Sequence, residues 1–343
     1  MDKMKLLVTM PDGYVKEKFL CENTRKLLEE KFEVIYNDLG RAYTKEELEE
    51  LIDKVNIIIT GWGTPTLIGS EALKANTSLK MIAHTAGSVG DLLDDTVYEK
   101  GIAVVSGNRF FAQSVAEGTI AYIMSVLRNI PDEVYGMKKE GAWKKNGVLE
   151  SRGILGREIG IIGYGMISRH LMRMLKPFGV KIKIFSQFPM DMDFLDDVNA
   201  EPASVEEIFS TCSIVSLHSS LNEKTIGMIK KEHFEMMQED AVFINTARGA
   251  IVNQEEMIDV LSRKNIRAFL DVYAVEPLEA ASPLRKMDNV YLMPHKAGPT
   301  TDMLTFIGGE VAKDVIRFAD NKPLKCEIDR AYAARMTKQH IAK

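Results

Sequence analysis

The chain has 343 residues, 45% of them hydrophobic and 27% charged, with a formal net charge of -5 and a pI near 5.8. Length and balance suit two globular domains, each with its own core, and the mild acidity argues against nucleic-acid or anionic-membrane partners, which need a basic field. No run approaches the ~18 uninterrupted apolar residues of a membrane span, and the opening MDKMKLLVTMPDG is interrupted too soon for a signal peptide.

From Met4 to about Ser106, short apolar strands alternate with amphipathic helices. The strands are expected at Lys5–Thr9, Glu33–Tyr36, Asn56–Thr60, Lys80–His84 and Ile102–Val105, and the helices include Lys16–Glu30 and Lys45–Asp53. Strands joined by crossover helices imply a parallel, doubly wound sheet. The first strand runs into MPDGY, with one glycine, so this unit is a poor nucleotide binder and a reasonable partner domain. Its loops Gly61-Trp62-Gly63-Thr64-Pro65 and Thr85–Gly90 follow strand ends, where such sheets bind ligands. Glycines there can offer backbone N–H groups to a carboxylate, or simply make turns. Trp62 reads as a packed edge aromatic.

A long helix then runs through Arg128, with Ile120, Ile123, Met124 and Leu127 on one face and Pro131 marking its end. The polar stretch 132–155, carrying Trp143, reads as an arm packing on another subunit.

The next stretch, GREIGIIGYGMISRHLMRMLKPFGVKIKIFSQ from Gly156 to Gln187, organises the rest. The apolar run Ile159–Ile162 enters Gly163-Tyr164-Gly165-Met166-Ile167-Ser168. Ile167, Leu171, Met174, Leu175 and Phe178 follow at helical spacing, and Val180, Ile182 and Ile184 alternate as a strand does. That strand–turn–helix–strand context makes G-x-G-x-x a dinucleotide-binding hypothesis: Gly163 and Gly165 admit a pyrophosphate, and the N–H groups at Met166 and Ile167 face its charge. Ser168 replaces the third glycine. Ser186 replaces the acid that would bind the ribose diol, and Gln187 rather than an arginine follows it.

Further on, the acidic PMDMDFLDD reads as a surface turn, and Ser204–Phe209 as a short helix. A strand at Ser213–Leu217 ends at His218, and a helix lies within Asn222–Asp240. The strand Ala241–Asn245 ends in Thr246-Ala247-Arg248-Gly249. The helix Asn253–Arg263 has Asn253 as its cap with Glu256 three residues on. The strand Arg267–Leu270 ends at Asp271, with Glu276 five residues later; Asn289–Met293 leads to Pro294-His295-Lys296; and Thr300–Asp320 is a helix leaving the domain.

Arg248, Glu276 and His295 thus follow three separate strands and converge on one sheet edge, the edge that carries the glycine turn. Together they suit reduction of a carbonyl. The histidine gives a proton to the oxygen, the carboxylate orients the imidazole and favours its charged form, and the guanidinium polarises the carbonyl and grips a neighbouring carboxylate. Each alone has a duller reading, as surface arginine, loop acid or structural histidine. The separated cysteines Cys21, Cys212 and Cys326, without C-x-x-C spacing, read as reduced thiols in a cytoplasm, and no metal site is expected.

Over nearly its whole length the sequence resembles the D-isomer-specific 2-hydroxyacid dehydrogenases. The residues that carry the likeness are Ser114-Val115-Ala116-Glu117, Gly163-Tyr164-Gly165, Asn245 to Gly249, Asp271-Val272-Tyr273 through Glu276-Pro277, and Pro294-His295. The resemblance implies two doubly wound parallel-sheet α/β domains. A flavodoxin-like substrate domain would be built from 1–107 plus 300–343, and a Rossmann-like cofactor domain from 108–299, with the active site in the cleft and 132–155 as the arm of a homodimer. It implies an NAD(P)-dependent reductase of small anionic 2-oxo acids, with D-2-hydroxy acids as the reverse substrates. Arg248 would bind substrate, Glu276 support the acid–base residue and His295 transfer the proton. Thr246 and Asp271 would lie by the nicotinamide, with Ala247, His218, Ser186 and Gln187 completing the cofactor contacts. Ala86, Gly87, Ser88 and Val89 would hold the substrate carboxylate.

Ser186 leaves NAD and NADP both open. Ser220 stands where a proline is common, and Gly118, where histidine is frequent, reads as neutral. Lys296, where a small residue is usual, reads as facing solvent, with a second anionic group on the substrate as the alternative. A nucleotide-sensing, corepressor-like binding protein on the same fold is the competing function. A one-carbon or inorganic substrate such as formate or phosphite has no support in the Ala86–Val89 loop.

Overall fold

The structure is a computed structural model that describes residues 3–64, 68–74, 78–143, 151–338 and 341. Pro65 and residues 144–150 of the expected arm lie outside the described residues. The chain divides into two compact units, Met1–Ala112 with Pro299–Ile341, and Gln113–Gly298. The first crossing falls inside the helix Asn108–Leu127 rather than in a loop.

The first unit has five strands, β1 (Lys5–Val8), β2 (Glu33–Tyr36), β3 (Ile57–Thr60), β4 (Met81–His84) and β5 (Ala103–Ser106). Their order is β2-β1-β3-β4-β5, every pair parallel. Side-chain alternation gives the sheet two cores. Leu7, Ile58, Ile82 and Val104 pack on one face; Leu6, Val8, Ile57, Ile59, Met81 and Val105 pack on the other. Helices cover both faces, which is why the central strands read as continuous apolar runs. The helix Thr301–Ala319 lies on the second face through Leu304, Ile307, Val311 and Val315. The single helix expected at Lys16–Glu30 is two, Tyr14–Phe19 and Glu22–Lys31. The break between them lets the adjacent Phe19 and Leu20 both be fully buried.

The second unit has seven parallel strands, β6 (Glu158–Ile162), β7 (Lys181–Phe185), β8 (Ala200–Pro202), β9 (Ile214–Leu217), β10 (Val242–Asn245), β11 (Arg267–Leu270) and β12 (Val290–Leu292). Their order is β12-β11-β10-β9-β6-β7-β8. The order reverses between β6 and β9, and a crevice at such a switch point is where doubly wound sheets take ligands. PMDMDFLDD is not a surface turn: Met192–Asp197 is helical, Asp191 accepts the Phe194 N–H at 3.1 Å, and Phe194 and Leu195 are buried. The edge strand β8 has no apolar alternation and escaped the sequence reading. Pro131 does not stop a helix. It sits in the first turn of the next, Ile130–Tyr135, where its missing N–H costs nothing.

The helix Asn108–Leu127 is long and apolar enough, by length and composition, to cross a membrane. Its Ala116, Ile123, Val126 and Leu127 belong to the core of the second unit.

Candidate active site

Arg248, Glu276 and His295 follow β10, β11 and β12, three neighbours in the second sheet. His295 Nδ1 and Glu276 Oε2 are 2.8 Å apart. The other carboxylate oxygen, Oε1, accepts the Tyr273 N–H at 3.0 Å, so both oxygens are held. Burial alone would raise the Glu276 carboxyl; hydrogen bonds from His295 and Tyr273, with the charges of His295 and Arg248, carry it below the ordinary glutamate range. An ionised Glu276 only accepts, so Nδ1 carries the shared proton and Nε2 is left for a reacting group. Arg248 is partly buried, and its Nη1 donates to the Ala247 carbonyl at 2.6 Å. A recess of about 600 Å³ flanks the pair, walled by Tyr273, Glu276, Pro277, Leu292, Met293 and His295.

The turn after β6 has the shape its glycines require. Gly163 sits at φ 109, and a Cβ there would meet the Ser219 nitrogen at 2.6 Å. A Cβ on Gly165 would meet nothing within 4 Å, so the backbone is open to an approaching group. Gly165 caps the helix Met166–Leu175 without a side-chain hydrogen bond, leaving first-turn N–H groups for a ligand. Ser168 is fully buried and donates its hydroxyl to the Gly163 carbonyl, closing the turn where a third glycine was expected. Met166 is at the surface and Ile167 half-buried. This open, uncapped cradle fits the pyrophosphate of a dinucleotide.

Other residues expected near a cofactor are engaged within the protein. The Ser186 hydroxyl donates to Phe188 O at 2.8 Å and accepts the Phe188 N–H at 3.0 Å; Gln187 is exposed. The His218 imidazole is turned inward, with Nε2 2.8 Å from Ser216 Oγ, and its backbone rather than its ring lines Gly163. Burial pushes this histidine down to about 3. Ala247 is buried, and the Thr246 hydroxyl lies 3.1 Å from that of Thr119. Asp271 is 1% exposed, and its oxygens accept the N–H groups of Lys296 and Ala297 and the Tyr122 hydroxyl. Lys296 is exposed.

Gly118 is not neutral. A Cβ there would come 2.1 Å from the Ala297 carbonyl oxygen, so the helix approaches the loop after His295 at backbone contact. Nothing in the local sequence announces that approach, because the two segments are far apart in the chain.

In the first unit, Ala86–Val89 leaves the carboxyl end of β4. Ser106 Oγ donates to the carbonyls of Ala86 and Gly87 at 3.0 and 2.6 Å. The C-terminal segment, which the sequence reading did not connect with this loop, also holds it. Ser88 Oγ donates to Thr337 O at 3.0 Å, and the Val89 N–H points at Met336 Sδ, 3.4 Å away. Trp62 packs edge-on to Phe19 and Phe111, at 5.3 and 5.8 Å, as an edge aromatic. Among the described residues no group of three or more His, Cys, Asp or Glu is placed to hold a metal ion.

The sequence model of the D-isomer specific 2-hydroxyacid dehydrogenase NAD binding domain matches residues 120–297. A putative 2-hydroxyacid dehydrogenase of Bacillus subtilis, YoaD, is 30% identical over 312 residues, 88% of this chain and 86% of that protein. A D-3-phosphoglycerate dehydrogenase of Methanocaldococcus jannaschii is 29% identical over 322 residues, but this chain spans only 57% of its length. A hydroxypyruvate reductase of Thermotoga maritima is 28% identical over 276 residues, 80% of this chain and 88% of that one. Among solved structures, a glyoxylate reductase from Paecilomyes thermophila shares the fold with a TM-score of 0.80 at 21% identity, covering 96% of this chain and all of the other.

Proposed function

The chain belongs to the D-isomer specific 2-hydroxyacid dehydrogenase family, and from that premise we propose that it is a reductase of small 2-oxo acids, using NADH or NADPH, with His295 as the acid–base residue. The observation that carries this reading is the 2.8 Å contact between Glu276 and His295, at the end of strands that neighbour the one bearing Arg248.

When bound, the reduced nicotinamide supplies the hydride that reaches C2 of the acid. Gly163, Gly165, Met166 and Ile167 would hold its pyrophosphate. His295 Nε2 gives its proton to the carbonyl oxygen, which becomes the hydroxyl. Glu276, ionised through the neutral range, keeps the imidazole in the orientation that presents Nε2. Arg248 draws electron density toward the carbonyl oxygen and binds the adjacent carboxylate. In the oxidative direction His295 accepts the proton.

The test is a matrix of both reduced cofactors against glyoxylate, hydroxypyruvate and other 2-oxo acids, with D-3-phosphoglycerate in the oxidative direction. Loss of cofactor absorbance with at least one acid supports the reading; no oxidation of either cofactor by any acid sinks it. The same matrix decides between NAD and NADP. We further propose that the arm 132–155 joins two copies, since Ile130, Val134, Tyr135 and Trp143 beside or within it are exposed apolar residues; light scattering at a monomer mass would refute this. Three free cysteines accord with a reducing, cytoplasmic setting.

A further inference from the structure

Three successive residues, the acid–base histidine and the two that follow it, hang from a single side chain and carbonyl. The His295 N–H donates to Asp271 O at 2.9 Å, the Lys296 N–H to Asp271 Oδ1 at 2.6 Å, and the Ala297 N–H to Asp271 Oδ2 at 2.9 Å. His295 needs such holding, because it adopts a left-handed backbone at φ 54, a conformation that strains a non-glycine residue. Asp271 is itself held from the side: the Tyr122 hydroxyl donates to Oδ1 at 3.2 Å. Burial, together with the Asp271 charge, keeps the Tyr122 phenol well above its ordinary value, so it remains a donor.

Tyr122 comes from the long helix, one turn beyond Gly118, where the helix backbone meets Ala297. One further turn back, Ser114 and Val115 abut Gly298. The helix therefore presents positions 114, 118 and 122 along one stripe to the segment 295–298. Tyr122 cannot swing away, because its ring stacks on Phe269 with centroids 4.2 Å apart and an interplanar angle of 11°.

We propose that Tyr122 is a positioning residue for proton transfer: by locking Asp271 it fixes the main chain of residues 295–297 and hence the direction in which His295 presents its ring. The proposal rests on His295 being the acid–base residue inferred above. It assigns to Asp271 a task other than contact with the nicotinamide, one that exists with no cofactor present.

Tyr122→Phe removes the hydroxyl and keeps the stacked ring. Asp271 then lacks its lateral donor, and the turn gains freedom of a few tenths of an ångström. Since a 1 Å misplacement can cost about a hundredfold in rate, kcat is expected to fall about tenfold while the Kd of the reduced cofactor stays within twofold of the parent. In the ligand-free protein labelled with 13C-histidine, the His295 ring signal, assigned by its loss in His295→Ala, is expected to move or broaden. Asp271→Asn, which turns one acceptor into a donor facing a main-chain N–H, is expected to do the same more strongly.

An unchanged His295 signal with kcat within twofold of the parent overturns the proposal. So does a weakened cofactor Kd with unaltered kcat, which would give the Tyr122–Asp271 pair to the nicotinamide instead. The ring signal is read without substrate or cofactor. If the parent protein turned over no 2-oxo acid, the proposed reaction would fall, and the signal would still decide the positioning.

Discussion

Gly118→Ala inverts an ordinary rule. In a helix interior, alanine is normally better than glycine by about 0.5–1 kcal/mol, because glycine loses more backbone freedom on folding. Here the new Cβ would lie 2.1 Å from the Ala297 oxygen and 2.9 Å from its carbonyl carbon, both main-chain atoms that cannot rotate aside. Relief requires a separation of about 1 Å between helix and loop, and overpacking of this kind costs roughly 1–3 kcal/mol. Set against the propensity gain, the variant should be less stable by about 1–2 kcal/mol, a Tm lower by about 2–8 °C. The displaced atom is two residues from His295, so kcat should fall by about 10- to 100-fold. Thermal melts followed by circular dichroism, with steady-state kinetics on the same preparations, measure both. A Gly118→Ala protein that melts above the parent and keeps its kcat would refute the claim that this helix is the bed of the His295 loop.

Glu276→Gln keeps the shape but loses the carboxylate that accepts from His295 and orients its ring, so kcat should fall by about tenfold or more, read by steady-state kinetics. In the parent, the Glu276 carboxyl is held below the ordinary glutamate range, so its pairing is present above that range and lost as pH falls through the lowered value. Buried His84 and His218 titrate at about 4 and about 3 in the fold against about 6.5 unfolded. The unfolded chain therefore binds more protons in that window, and stability should fall as pH drops from about 6.5 toward 4. Replacing His218 with Gln should flatten that loss, read from Tm against pH. The two turn glycines should separate: Gly163→Ala destabilises the fold through its positive φ and the Ser219 contact, whereas Gly165→Val leaves Tm near the parent and weakens binding of reduced cofactor about tenfold or more, read by fluorescence.

The local sequence already carried much of the architecture. Continuous apolar runs such as Ile57-Ile58-Ile59 and the β6 turn with its glycines are decided within a few residues. So is the Asn253 cap, whose side chain accepts the Glu256 N–H at 3.3 Å. That Arg248, Glu276 and His295 follow three strands was equally plain, because parallel strands put every loop that follows a strand on one edge. What failed locally did so for nonlocal reasons. The break at Leu20 and the helix at Met192–Asp197 depend on which residues the sheet has room to bury.

Sequence alone thus determined most of the elements and the parallel character of both sheets, since each rests on side-chain period and turn type. Only the tertiary structure decided how the site residues are held. Asp271 receives Tyr122 and the N–H groups of Lys296 and Ala297; Gly118 meets Ala297; and Met336 and Thr337 reach the Ser88–Val89 loop. These contacts join positions tens to hundreds of residues apart. No local propensity encodes them, because the free energy of each depends on a partner that only the completed fold brings within reach.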